Sequence, residues 1–164
     1  MIEPLSKLVE ESAQQTIVQN KAIPDQFNNA AIKEVTNQIF TSLKGQVSQG
    51  NMQQVIAMFQ TNAGRTMGAN PVVTTIISSV TTSLQSKFGI SPEVAQSVAN
   101  GLVPQVMSQV IRKANDPHDI EFDLQQMMRG MTGNTSLDIS GMIGQQPKGA
   151  LGTIGNVFGK LFGK

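Results

Sequence analysis

The chain has no cysteine, no tryptophan and no tyrosine, and a single histidine. Without cysteine there can be no disulfide framework, no thiolate zinc site and no cysteine nucleophile. Charge is also scarce. Only 14% of the residues are Asp, Glu, Lys or Arg, and the formal net charge is +1. That balance, with no basic cluster and no Tyr or Trp to stack on bases, speaks against nucleic acid as a partner. No stretch is apolar enough to span a bilayer. The first residues, Met-Ile-Glu-Pro-Leu-Ser-Lys-Leu-Val-Glu-Glu, are acidic and lack the apolar centre of a signal peptide. A bacterial-type cytoplasmic protein is the expectation, and the Asn134-Thr135-Ser136 sequon is then a chance match.

What is present is helical periodicity, and it centres on residues 70–114. The first half of this stretch is rich in β-branched residues, which propensity alone would assign to a strand. Its large apolar residues, however, fall at Val72, Val73, Ile76, Ile77, Val80, Leu84 and Phe88, the three-and-four spacing of one helix face. Asn70 suits an N-cap, Pro71 the first turn, and Gly89 a left-handed C-cap. No charged residue occurs from Thr66 to Ser86, so the polar side of this helix is almost wholly Ser and Thr. Two readings compete for that face: enclosure by neighbouring helices with the hydroxyls bonded back to the helix, or a subunit interface where small side chains permit close approach.

The second half opens on Ser91-Pro92-Glu93, a cap, a first-turn proline and an early acid. Its apolar pairs recur every four residues: Val94/Ala95, Val98/Ala99, Leu102/Val103, Val106/Met107 and Val110/Ile111. Because four residues turn slightly more than a full circle, the stripe winds round the helix, so that different ends face different neighbours. Pro104 lies within the pattern and cannot bond the Asn100 carbonyl. It is expected to kink the helix or divide it in two.

Before this pair, a first helix is expected over residues 4–20 with Leu5, Leu8, Val9, Ala13 and Ile17 inward. After Ile23-Pro24-Asp25, a long helix runs to about residue 48, with Phe27, Ala31, Val35, Ile39, Leu43 and Val47 in a row and Ile32 and Phe40 beside it. Its outer face is read as Asn, Gln, Lys and Glu. Gly50-Asn51 stops it and caps a short helix over residues 52–60, with Val55, Ile56 and Phe59 inward. Residues 62–69 are expected as a loop. A last short helix over residues 124–131 carries Leu124, Met127, Met128 and Met131. The expected architecture is all-α: a compact bundle of five to six helices over residues 1–132, a kinked central helix at 92–114, and a flexible or loosely docked glycine-rich tail over 133–164.

In the tail, Leu151, Ile154, Val157, Phe158, Leu161 and Phe162 would line one face of a helix, and Gly152, Gly155, Gly159 and Gly163 interrupt it. Each interior glycine costs up to about 1 kcal/mol of helix stability relative to Ala. Such a segment needs a surface to fold against. A partner protein, a second copy or its own domain would serve, and so would membrane contact. Those six apolar residues are the interaction candidates. The surplus of positive charge is too small for strong binding to anionic lipid.

Chemistry is sparse. His118 stands with Asp116, Asp119, Glu121 and Asp123, which makes these five the only candidates for a metal, and weak ones. The loop lacks the glycine and the twelfth-position glutamate of an EF-hand, and a turn leading to a helix capped by Asp123 or Asp119 explains it better. No serine or cysteine elbow accompanies His118. The repeat Gly149-x-x-Gly152-x-x-Gly155 follows no strand and is no dinucleotide fingerprint. Gly159-Lys160 is followed by Leu161 and does not complete a phosphate-binding loop. No catalytic residue and no cofactor is assigned, and the chain is not expected to be an enzyme.

Lys87-Phe88-Gly89-Ile90-Ser91-Pro92-Glu93-Val94-Ala95, followed by Leu102-Val103-Pro104-Gln105-Val106-Met107, resembles the YidB-like bacterial family of unknown function. Its members show a Gly-(Ile/Val)-Ser segment opening a proline-containing helix, and their ends are often glycine-rich and apolar. Ala22-Ile23-Pro24, Leu43-Lys44-Gly45-Gln46, Asn70-Pro71-Val72-Val73 and Asn115-Asp116-Pro117 resemble a Bacteroidetes-type branch of it. The resemblance implies an all-helical fold and transfers no catalytic residue. With composition and periodicity, it leads to the expectation of a non-enzymatic interaction or structural module, self-associating or bound to a protein partner, with membrane association through the tail as the alternative.

Overall fold

A computed structural model describes residues 2–60 and 67–139. Six α-helices occur among these residues, and no strand: α1 (Ile2–Ala13), α2 (Asn28–Gln46), α3 (Met52–Gln60), α4 (Pro71–Phe88), α5 (Pro92–Ala114) and α6 (Leu124–Thr132). The described residues form an all-α bundle, as their periodicity predicts. The principal packing forms a closed circuit, in which α1 and α4 each lie against both α2 and α5. α3 covers one side through α2, α4 and α5, and α6 packs on α2.

The α4–α5 hairpin forms for local reasons. The Asn70 side chain accepts a hydrogen bond from the Val72 amide at 2.9 Å, Pro71 fills the first turn, and Gly89 closes the helix at φ 63° with its amide on the Gln85 carbonyl. Two residues later the Ser91 hydroxyl accepts from the Val94 amide and Pro92 begins α5. The β-branched residues of α4 are helical because Val72, Val73, Ile76, Val80 and Leu84 are all buried, and that burial outweighs a few tenths of a kcal/mol of poor propensity per residue. In α5 the winding pairs are buried from Ala95 to Ile111, and the helix packs on α4, α1 and α3. Of the two outcomes expected at Pro104, division is not the one found: α5 is a single helix through it.

Three departures from simple periodicity appear. α1 does not continue as α-helix to residue 20 but widens into a π-helical turn, Gln14–Val18, which keeps Ile17 fully buried. α2 likewise ends in a π-helical segment, Val47–Asn51, where Gly50 turns left-handed at φ 92° and α3 begins at once. In the expected loop over residues 62–69, Met67–Ala69 forms a 3₁₀ turn and the earlier residues lie outside those described. The expected inward rows of α1, α2 and α3 are otherwise found, with Met58 added to that of α3 and Phe27 and Phe40 only half-buried.

The packed chain also continues beyond Thr132. Gly133 caps α6 at φ 71°, and Ile139 is fully buried. Gln125, buried on α6, donates to the Leu137 carbonyl and accepts from the Ile139 amide at 2.9 Å, while Arg129 Nε donates to the same Leu137 carbonyl at 2.8 Å. These bonds draw residues 137–139 back onto the bundle.

Three substitutions test this account by urea denaturation. Gly89→Ala adds a Cβ that meets nothing within 4 Å but is strained by the positive φ; a loss of about 1 kcal/mol is expected. Gln125→Ala leaves the Leu137 and Ile139 backbone groups with fewer partners and is expected to cost about 1–2 kcal/mol. Thr16, in the π turn, has a buried hydroxyl without a hydrogen-bond partner. Thr16→Val keeps its shape, so stability should be unchanged or raised by up to about 1 kcal/mol; a clear loss would show that the hydroxyl is bonded after all.

Candidate functional site: the groove along helix α4

The outward side of α4 is where the sequence left two readings open. Thr74, Thr75, Ser78, Thr82 and Ser86 are exposed, and Ser79 and Thr81 are half-buried. The face is therefore not enclosed by neighbouring helices. The hydroxyls do bond back as expected in several turns: Thr74 to the Asn70 carbonyl (2.9 Å), Thr75 to Pro71 (3.0 Å) and Thr81 to Ile77 (2.8 Å). Between this face and α2 runs an open groove of about 480 Å³, lined by Gln38, Ser78, Ser79, Thr82, Ser83, Ser86 and Lys87.

Three of its lining residues, Gln38, Ser83 and Lys87, hold a carboxylate that periodicity assigned to the outer face of α2. Glu34 is 7% exposed. Its Oε1 accepts from the Ser83 hydroxyl and from Gln38 Nε2 (2.8 Å), and its Oε2 pairs with Lys87 Nζ at 2.8 Å. Burial alone would raise the Glu34 pKa. The hydrogen bonds from Lys87, Ser83 and Gln38, with the Lys87 charge, outweigh it and hold the carboxyl below the ordinary glutamate value. This cluster ties α2 to α4 across the groove. Ser83 is not arranged as an activated nucleophile: it lies inside a helix, where the neighbouring amides serve the helix itself, and it donates to a carboxylate whose lowered pKa makes it a weak base. The cluster is suited to holding charge in place.

Glu34 was missed because it flanks the apolar row of α2 instead of interrupting it. One signal was available: Glu34 and Gln38 stand one turn apart beside that row, and Lys87 is the first charge after a long uncharged stretch. The outer face of α2 is thus corrected at Glu34; Thr36, on the same helix, is buried as well, with its hydroxyl donating to the Ile32 carbonyl at 2.8 Å.

The five metal candidates are not brought together. Asp123 is the N-cap of α6, accepting from the Gln126 amide at 3.0 Å. Asp119 accepts from the Glu121 and Phe122 amides and pairs with Lys113 at 3.2 Å. Burial raises its pKa, and the bonds from Lys113 and the two amides bring it below the ordinary aspartate value. Asp116 accepts from the His118 amide at 2.9 Å, and His118 and Glu121 are exposed. Among the described residues no three His, Asp or Glu side chains converge to hold an ion. The connector is a series of acid-capped turns anchored by fully buried Phe122, over whose ring Lys113 Nζ lies 5.8 Å from the centroid.

The six tail candidates, Leu151, Ile154, Val157, Phe158, Leu161 and Phe162, lie outside the described residues. No helix among the described residues is long and apolar enough to cross a membrane. No family model, curated protein or solved structure matches the chain.

The Glu34 cluster makes a pH-dependent prediction. A carboxyl with a depressed folded-state pKa contributes stability that is complete above its unfolded pKa of about 4.3 and is lost as pH falls through the lower, folded value. Glu34→Gln is expected to cost about 1–3 kcal/mol near neutral pH. Urea titrations from pH 7 to pH 3 should show a wild-type advantage that is level above about pH 5 and shrinks in acid. A pH-independent difference would assign the effect to packing and not to charge.

Proposed function

We propose that the protein is a non-enzymatic interaction module that binds a protein partner, or a second copy of itself, along the open Ser/Thr face of α4. The observation that carries this reading is the groove itself: a helix face of exposed small hydroxyls, with no charge until Lys87 and that charge already paired with Glu34. Depletion of charge marks the centres of protein interfaces, and small side chains allow helix backbones to approach closely, as they do at helix contacts within membranes. Shape, more than attraction of opposite charges, would select the partner. The YidB-like motifs around Gly89 and Pro104 support membership of that family, and the overall composition supports a cytoplasmic setting.

The alternative reading places the interaction at a membrane surface through the C-terminal tail. It rests on the helical spacing of Leu151, Ile154, Val157, Phe158, Leu161 and Phe162, which would present one apolar face to a lipid interface.

Two full-length variants separate these readings. Ser78→Glu/Thr82→Glu places charge on the groove at exposed positions, where effects on stability should remain within about 0.5 kcal/mol each. Phe158→Ser/Phe162→Ser removes the apolar tail residues. Native mass by light scattering, affinity capture, and cosedimentation with neutral and anionic vesicles are measured for both. The interaction reading expects assembly or capture by the wild type, lost in the groove variant and retained in the tail variant. Vesicle binding lost only in the tail variant would establish the alternative. A wild type that is monomeric, captures no partner and stays in the supernatant with both vesicle types would defeat both.

A further inference from the structure

We draw no further inference here: the strongest candidate, the Ser/Thr-lined groove between α2 and α4 beside the Glu34 cluster, belongs to the site already described and nothing in the structure shows what covers it.

Discussion

The fold depends on one contact above the others, the packing of α4 against α5. Both helices are built from side chains that would be poor choices in isolation. α4 is crowded with Val, Ile, Thr and Ser, and α5 carries a glycine and a proline within its length. Neither would be a stable helix alone. Each becomes one because the other buries its apolar side, and the turn between them is fixed by three local devices in close succession: the left-handed Gly89, the Ser91 cap and Pro92. Once the hairpin is set, α5 presents its winding stripe to α1 and α3, and α4 presents its second flank to α2. The core is aliphatic and methionine-rich, with few aromatic anchors. Phe59 and Phe122 are the only fully buried rings among the described residues.

What could be read from the sequence follows from which interactions are local. Caps, proline at first turns and left-handed glycines act within a few residues, so Asn70, Ser91, Gly50 and Gly89 were legible at their positions, and Asp123 as one of two candidate caps. Apolar periodicity showed the inward rows of α1, α2, α3 and α5 for the same reason. Most of the features that were not legible depend on contacts outside their own helix. Glu34 is buried because α4 brings Ser83 and Lys87 to it. The docking of residues 137–139 depends on Gln125 and Arg129 bonding to backbone groups beyond the helix cap. The π-helical turns, Gln14–Val18 and Val47–Asn51, carry the buried Ile17 and Val47, and apolar spacing alone does not distinguish them from α-helix. The Ser/Thr face was legible as uncharged, but composition could not decide whether neighbours enclosed it. That required knowing that α2 and α5 occupy the other flanks of α4.

The two unusual features of α4, its open hydroxyl face and its buried carboxylate contact, are physically connected. An outward helix face is ordinarily filled with Lys, Glu, Gln or Arg, which have better helix propensity and keep the surface solvated. Ser and Thr forgo a few tenths of a kcal/mol per position, which over the outward positions of α4 comes to roughly 2 kcal/mol. Back-bonding to the helix carbonyls does not recover that loss, since such bonds compete with the helix's own. Glu34 moves the balance the other way. A carboxylate at the α2–α4 boundary, supplied with Ser83, Gln38 and Lys87, fixes the two helices in one register. It does so at the edge of the groove, where the side chain of Lys87 remains half in solvent and desolvation stays tolerable. The helix that forgoes surface charge is thus also tied to its neighbour by a charge-assisted contact. A closely approachable face of small hydroxyls lowers helix propensity and is suited to seating another backbone, which favours the interaction reading we propose over one in which the Ser/Thr run is mere surface.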